Sequence, residues 1–216
     1  MLPHNWRGFP DFGCGAIGDM ACHILGTANM ALQLGSPLSV ECVKLEDRGQ
    51  YTFPLRTLIR FDFPARGSMP PVKVFWHDGL TERPHIEGIA DSELLGDSDV
   101  NGSLFIGQKG MVTTGCYGER TRLVPAAKLQ EYRLPPPVLS RSPGHYRDWI
   151  RACKGGEPAC SNFSVAAPFV QWMLLGVIAM KFEGKLEWDA QRMRFTNNKE
   201  ANQYLKPKFR KGWKFA

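Results

Sequence analysis

Residues 13–25 read GCGAIGDMACHIL, and the interpretation of this stretch decides which fold the chain can have. Gly13, Gly15 and Gly18 match G-x-G-x-x-G, the pattern of a glycine-rich turn that binds the pyrophosphate of a dinucleotide. That turn has physical meaning only after a buried parallel strand, which is a run of Val, Ile or Leu without an interior proline. Residues 5–12 read NWRGFPDF, so no such strand can be drawn, and the sequence disfavours a dinucleotide-binding fold.

The alternative for the same stretch is a helix over residues 16–34 that carries a proton-transfer pair. Asp19 and His23 stand four residues apart, so a helix places both side chains on one face, where they can touch. A carboxylate beside an imidazole fixes its tautomer and raises its basicity, as a general base working near neutral pH requires. The same spacing also fits an exposed ion pair without catalytic function, and spacing alone does not separate the two interpretations.

Alternation of apolar and polar residues predicts strands in the rest of the chain. The clearest case is residues 55–63, LRTLIRFDF, which read as a half-buried strand. Further strands are predicted at residues 38–47, 72–77, 102–106, 111–114, 122–124, 186–188 and 193–196, and further helices at residues 145–153 and 165–182. Because the strands follow one another without intervening helices, the sequence predicts an α+β fold with an open, mainly antiparallel sheet and helices packed on one face.

Length and charge predict a globular chain with one basic end. With 216 residues, 43% hydrophobic and 22% charged, the chain can bury a full core, and we interpret residues 1–216 as a single domain with a basic aromatic tail at about 197–216. The net charge is +6, and its excess cations crowd the last residues: Lys206, Lys208, Arg210, Lys211 and Lys214, interleaved with Phe209, Trp213 and Phe215. The nearly neutral body predicts no nucleic-acid partner, and the tail is expected to pack its aromatic rings on that body.

Three patterns that suggest a metal or a membrane are weak. Residues 97–102 match the first half of a calcium-binding loop, but Gln108 stands where the loop needs its final Glu. His77 and His85 have no third donor nearby in sequence, and the six cysteines form no C-x-x-C pair. The longest apolar stretch, residues 165–180, is too short for a transmembrane helix. The sequence therefore predicts no metal site and no membrane association.

Several short motifs resemble one enzyme family when they are taken together. They are residues 5–8 (NWRG), 15–23 (GAIGDMACH), 75–79 (FWHDG), 101–107 (NGSLFIG), 118 with 122–125 (G and RLVP), 161–163 (SNF), 186–190 (LEWDA) and 200–204 (EANQY). Along nearly the whole chain this set resembles the C-terminal half of the glucose–fructose oxidoreductase, inositol dehydrogenase and rhizopine-catabolism (Gfo/Idh/MocA) family. The nearest branch is the bacterial one with a long C-terminal tail.

The resemblance implies the fold and the cofactor of a two-domain enzyme. In that family an N-terminal Rossmann domain binds NAD or NADP, and the C-terminal domain is an open, mainly antiparallel sheet of the dihydrodipicolinate-reductase-like type. The 216 residues contain no counterpart of the Rossmann domain, so this chain is expected to be the catalytic half of an NAD(P)-dependent sugar dehydrogenase. We expect it to bind no cofactor and to be inactive without the missing domain.

The resemblance also implies roles for individual residues. His23 would remove the proton from a hydroxyl of a sugar, polyol or glycoside, and Asp19 would orient the imidazole. Trp6 and Arg7 are candidate substrate-binding residues, with the indole stacked on a sugar ring and the guanidinium bound to hydroxyls or a carboxylate. An anchored N-terminal arm explains the same two residues equally well. Asn162 is a further candidate for substrate binding, and a turn leading into a helix is its alternative.

Two departures from the family pattern leave the substrate open. His77 stands where the branch has an aromatic hydroxyl, and Gln171 stands where it has an acid. Two other functions therefore stay possible for the domain. One is a non-redox sugar-binding or oligomerisation module, and the other is an NAD-assisted glycoside hydrolase or lyase.

A homodimer or tetramer is expected as the assembly. An open sheet with its helices on one side leaves the other face to be covered, and the family commonly associates through that face. Trp76, Phe61 or their strand neighbours are expected to make this face apolar, because a large apolar patch usually marks an interface.

Overall fold

A computed structural model describes residues 2–79, 85–94, 101–206 and 209–213. The chain divides into two compact units, which are treated one at a time. The first unit comprises Met1–Cys22, Asn29–Glu82 and Trp172–Ala216, and the second comprises His23–Ala28 and Arg83–Gln171. Helices α1 and α5 each contribute residues to both units.

The secondary structure is a mixture of strands and helices. The strands are β1 (Ser39–Glu46), β2 (Arg56–Phe63), β3 (Val72–Asp78), β4 (Gly102–Gly107), β5 (Gly110–Gly115), β6 (Arg122–Val124), β7 (Lys185–Asp189) and β8 (Arg194–Phe195). The α-helices are α1 (Gly15–Ala31), α2 (Asp91–Leu94), α3 (Lys128–Glu131), α4 (His145–Cys153) and α5 (Phe163–Ala179), and two 3₁₀ helices cover Pro3–Gly8 and Ala201–Tyr204. None of the helices in the described residues is long and apolar enough to cross a membrane.

The first unit is built on an open antiparallel sheet of five strands in the order β3-β2-β1-β7-β8. Every second residue of β2 is buried, as its alternating sequence predicts. Two of these residues, Phe61 and Phe63, meet the ring of Trp172 on α5 edge-to-face, with centroids 5.0 and 5.1 Å apart. Aromatic pairs at this separation add to the stabilisation from buried area, so this face of the sheet holds the core of the unit.

Helices α1 and α5 both pack on the apolar face of the five-stranded sheet, and they meet at Gly176 of α5. A Cβ on Gly176 of α5 would lie 2.6 Å from Cδ1 of Ile17 on α1 and 3.1 Å from the ring of Phe61. The indole Nε1 of Trp172 donates a hydrogen bond of 3.1 Å to the side chain of Asn29 on α1. The open antiparallel sheet with helices on its apolar face agrees with the expected fold class.

The expectation that Trp76 or Phe61 lines the opposite face of this sheet is wrong. Trp76 is 5% exposed and Phe61 is fully buried. The register places Ile59 opposite Trp76 and Phe61 opposite Val74, so these side chains share the face that packs on the helices. The alternation of the strands was predicted correctly, but their buried apolar side chains face the helices and form the core instead of lining the opposite face.

The opposite face carries ion pairs. Arg60 donates a hydrogen bond of 2.7 Å to Glu41, and Asp62 accepts one of 3.0 Å from the hydroxyl of Ser39. The ammonium group of Lys185 lies 3.5 Å from the same Asp62 carboxylate. These four charged side chains come from β1, β2 and β7, so one network ties three neighbouring strands together on the polar side.

The second unit contains a separate antiparallel sheet of three strands in the order β4-β5-β6. Strands β4 and β5 form the hairpin that the sequence predicts. Thr113 and Thr114 of β5 are fully buried, and the Thr113 hydroxyl donates a hydrogen bond of 2.6 Å to the carbonyl of Leu94 at the end of α2. The strands of the described residues therefore form two sheets, where the sequence led us to expect a single larger one.

Some expectations fall partly outside the described residues. The calcium-like stretch at 97–102 is described only for residues 101 and 102, and Lys208, Lys214 and Phe215 of the tail are not described. Within the described part of the tail, Trp213 is exposed and its ring lies 5.0 Å from the guanidinium carbon of Arg210. That ring pairs with a cation of the tail itself, and packing of the tail on the body stays a prediction.

Candidate functional site

The glycine-rich stretch before α1 is shaped by close packing. The segment that precedes it, Pro3–Gly8, is a 3₁₀ helix instead of the buried strand that a dinucleotide-binding turn requires. A Cβ on Gly13 would lie 2.6 Å from the Cα atom of Arg7. Gly15 has a φ of +67°, and a Cβ there would lie 2.9 Å from the ring of Phe53. Glycine is therefore required at both positions by the chain's own contacts.

Arg7 and Asp19 form an ion pair in the first unit. The Arg7 guanidinium donates to the Asp19 carboxylate, and its Nε donates a hydrogen bond of 3.1 Å to the carbonyl of His4. A second guanidinium nitrogen lies 2.9 Å from Nδ1 of His4. All three residues keep substantial exposure, so a ligand can reach both hydrogen-bond donors and acceptors here.

Trp6 belongs to the same 3₁₀ helix and forms an exposed aromatic pair. Its ring centroid lies 5.7 Å from that of Phe12, with the ring planes inclined by 38°. Trp6 is 49% exposed and Phe12 is 68% exposed, although both are large apolar side chains. These two exposed rings are close in sequence to Arg7, so they provide an apolar surface near the Arg7–Asp19 ion pair. Phe12 and His4 were not singled out in the sequence, because a single aromatic or histidine carries no periodic pattern.

His23 is exposed on α1 in the second unit. Its ring packs against Tyr117 with centroids 5.2 Å apart and ring planes at 71°. Asp19 precedes His23 by one helical turn and belongs to the first unit. Within the described residues no hydrogen bond joins these two side chains, since the Asp19 carboxylate is paired with Arg7. No local pattern in the sequence indicated Tyr117, because its contact with His23 is made between distant segments.

Asn162 caps the N-terminus of α5. Its side-chain oxygen accepts hydrogen bonds from the amide of Ser164 at 2.9 Å and from the Ser164 hydroxyl at 2.5 Å. The side-chain nitrogen of Asn162 donates to the carbonyl of Ala159 at 2.9 Å. Both polar atoms of the amide are thus used locally, as in an Asn that begins a helix. This arrangement corresponds to the helix-leading turn that was the alternative to substrate binding.

The predicted site residues are divided between the two units. Trp6, Arg7 and Asp19 lie in the first, and His23 and Asn162 lie in the second. Within the described parts of the chain, no group of three or more His, Cys, Asp or Glu side chains could hold a metal ion.

Comparison with known proteins identifies no family. No protein-family model matches the chain, and no curated protein matches it. The chemistry of the site therefore has to be argued from its own residues.

Proposed function

We propose that the chain is the substrate-binding and catalytic part of an NAD(P)-dependent oxidoreductase acting on a hydroxyl of a sugar, polyol or glycoside. The observation that carries the proposal is an exposed imidazole, His23, one helical turn after a carboxylate on the same helix. The resemblance of the motif set to the Gfo/Idh/MocA family supports the same assignment, with the fold of an open antiparallel sheet.

The nicotinamide cofactor is proposed to be held outside these 216 residues. The glycine-rich turn does not fit a dinucleotide, because the Arg7 backbone and the Phe53 ring already occupy the space above Gly13 and Gly15. A nicotinamide, when bound, supplies the acceptor for a hydride. The residues of this chain bind the substrate and move its proton.

His23 is the proposed general base. An exposed imidazole can accept the proton of a substrate hydroxyl, and histidine is the side chain most often used as a general base. Asp19 precedes His23 by one turn on the same helix and is proposed to support its role as the base. Because Asp19 is paired with Arg7, it is expected to contribute less to catalysis by His23 than an unpaired carboxylate would.

The first unit supplies a set of groups suited to carbohydrate. Trp6 and Phe12 offer exposed aromatic faces, and Arg7 with Asp19 offers donors and acceptors for neighbouring hydroxyls. This observation also favours a second candidate, a sugar-binding module without redox activity. Substitution at His23 separates the two candidates, since a binding module needs no general base.

The test begins with the reading frame contiguous with the codon for Met1, which is examined for a nicotinamide-binding domain. In the protein that includes that domain, His23→Ala is expected to lower the turnover of sugar oxidation by about 10²- to 10⁴-fold. Asp19→Asn is expected to cost less, because it only supports His23. Titration calorimetry of the 216-residue chain with NAD and NADP is expected to show no micromolar binding.

His85→Ala is the matched control. His85 is an exposed histidine with its Nδ1 3.2 Å from Asp91, and the proposal gives it no catalytic role. Its substitution should leave turnover unchanged. If His23→Ala only raises the Michaelis constant and leaves turnover intact, His23 binds substrate and the oxidoreductase mechanism is wrong. Micromolar binding of NAD or NADP to the chain alone would restore the dinucleotide interpretation of residues 13–18.

A further inference from the structure

Tyr117 is held in a tight loop between β5 and β6. The amide of Gly115 donates to the carbonyl of Glu119 at 2.8 Å, and the amide of Gly118 donates back to the carbonyl of Gly115 at 3.2 Å. The Glu119 carboxylate accepts a hydrogen bond of 2.7 Å from the amide of Tyr117. Backbone amides, including those of Glu119 itself and Tyr117, hold the pKa of Glu119 below its ordinary value. The backbone on both sides of Tyr117 is therefore fixed by hydrogen bonds within the loop.

The loop contacts α1 at two points one helical turn apart. Tyr117 meets the ring of His23, and Gly118 lies against Thr27, four residues further along the same helix. A Cβ on Gly118 would lie 2.8 Å from the Thr27 hydroxyl, and its φ of +83° also favours glycine. Residues i and i+4 share one face of a helix, so the loop follows the face that carries His23. Nearby, the hydroxyl of Ser103 on β4 donates a 3.0 Å hydrogen bond to the carbonyl of Ile24, which ties the sheet to the same stretch of helix.

The geometry of the contact restricts the orientation of the imidazole. Rings that meet at 71° are close to the T-shaped geometry that aromatic pairs prefer. A neighbouring ring in this arrangement favours one rotation of the imidazole over the others. Tyr117 is 70% exposed, and His23 is exposed as well, so the contact leaves the imidazole open to a substrate.

We propose that Tyr117 is the positioning residue of His23, fixing the rotation of its imidazole. The inference rests on the proposed function for its catalytic consequence, whereas the contact itself can be tested without any activity. The aromatic ring carries the effect, and the phenolic hydroxyl is not required. Phenylalanine is therefore the conservative replacement and leucine the disruptive one.

The first experiment observes the imidazole directly in the 216-residue chain. With isotope-labelled histidine, Tyr117→Leu is expected to shift the ring-proton resonances of His23, because the ring current of the neighbouring aromatic is lost. Tyr117→Phe is expected to leave them in place. Since Tyr117 is exposed, neither substitution disturbs the core, and the backbone amide spectrum verifies this. His23→Gln assigns the signal by its disappearance.

A matched control comes from α4, where Tyr146 is exposed and its ring lies 5.7 Å from that of His145 at 76°. Tyr146→Leu should move the resonances of His145 and leave those of His23 unchanged. If Tyr117→Leu leaves the His23 resonances where they were, the contact does not exist in solution and the inference is overturned.

The second experiment measures turnover in the protein that carries the nicotinamide-binding domain. Tyr117→Leu is expected to lower kcat for sugar oxidation by about 2- to 10-fold, the worth of one aromatic contact, with KM unchanged. Tyr117→Phe should leave kcat at the value of the unsubstituted protein, because the aromatic ring is kept. A loss of activity for His23→Ala without any loss for Tyr117→Leu overturns the positioning role alone. Full activity of His23→Ala overturns the proposed function and, with it, the catalytic consequence assigned to Tyr117.

Discussion

At the scale of single residues, Asp148 decides how helix α4 is oriented. Its carboxylate is buried and accepts hydrogen bonds from the amide of Cys160 at 2.8 Å and from Arg151 at 2.7 Å. The amide of Cys160 is the main reason that the pKa of Asp148 lies below its ordinary value, and Arg151 adds to the effect. Because the acid points inward, Tyr146 and Trp149 of the same helix are left exposed to solvent.

Asp148→Asn is expected to lower the midpoint of urea denaturation at pH 7 and to have a smaller effect at pH 3. A folded-state pKa below the unfolded value means that the carboxylate stabilises the protein above the ordinary pKa of aspartate, about 4, and that this stabilisation is lost as pH falls through the folded value. Urea denaturation of both proteins over this pH range measures the difference.

Glu157→Gln is the control for this series, because Glu157 pairs with the same Arg151 at 3.0 Å but is exposed. A surface pair of this kind contributes about 0–1 kcal/mol, so the substitution should change the midpoint little at any pH. An Asp148→Asn effect that is equally large at pH 3 and pH 7 would contradict the electrostatic explanation.

The candidate site shows what residue spacing can and cannot predict. The spacing of Asp19 and His23 correctly indicated two side chains on one helix, because helical periodicity is a local property. The partners of these residues, Arg7 and Tyr117, come from a 3₁₀ helix and a loop, and no local pattern predicts such contacts. The catalytic roles of Asp19 and His23 stay predictions until the substitutions are made.

At the scale of elements, two helical glycines have opposite surroundings. Gly176 of α5 lies where the helix meets α1 and the sheet, so a Cβ there would overlap with Ile17 and come tightly against Phe61. Gly26 of α1 has open space, and the nearest atom to its Cβ would be a ring carbon of Phe169 at 4.0 Å. The first glycine is required by packing, whereas the second only reduces helix propensity.

Gly176→Ala is expected to lower the free energy of unfolding by about 1–3 kcal/mol, because the extra methyl group overpacks the junction. Gly26→Ala is expected to raise it by about 0.5–1 kcal/mol, because alanine loses less backbone entropy on folding. Urea denaturation of the two variants gives both values under identical conditions. Equal stabilisation by the two substitutions would mean that α5 does not approach the sheet as closely as the structure shows.

Most long elements and the short strands β6 and β8 could be predicted from local pattern, whereas the shortest α-helices could not. Strand β2 agrees with the predicted alternation to within one residue, and α4 agrees at both ends. Helix α5 begins two residues before its predicted start, because the cap by Asn162 lies ahead of the apolar pattern. Helices α2 and α3 have four residues each, too few to show a helical period.

At the scale of the whole chain, strand pairing was the part that sequence reasoning could not provide. Each strand was assigned from its own residues, but the choice between one sheet and two depends on contacts between distant segments. The side of the sheet that each residue occupies was also misjudged for Trp76 and Phe61, since alternation defines two faces without saying which one meets the helices.

Self-association through the polar face of the five-stranded sheet stays a prediction, and the structure changes its expected chemistry. One cross-strand row on this face contains Phe75, Arg60, Glu41 and Lys185, so both signs of charge are available to a second copy. An interface of this kind should weaken as the salt concentration rises. Light scattering at tens of micromolar protein in low and high salt measures the effect.

Phe75→Lys should shift this equilibrium towards the monomer, because Phe75 is the exposed aromatic residue of that row. Tyr51→Lys is the control, since Tyr51 is at least as exposed but lies outside the strands. A single species with the mass of one chain at both salt concentrations would argue against the interface.

The two-sided pattern of β2 also limits how the sheet can misfold. A slip of one residue between β2 and its neighbours would turn Arg60 and Asp62 towards the helices and expose Ile59 and Phe61 to water. Such a slip buries charges without partners and exposes apolar surface, and it also breaks the pairing of Arg60 with Glu41. The ion pairs on the polar face thus favour the native register of β1 and β2. Registers shifted by one residue are higher in free energy because they lose these pairs.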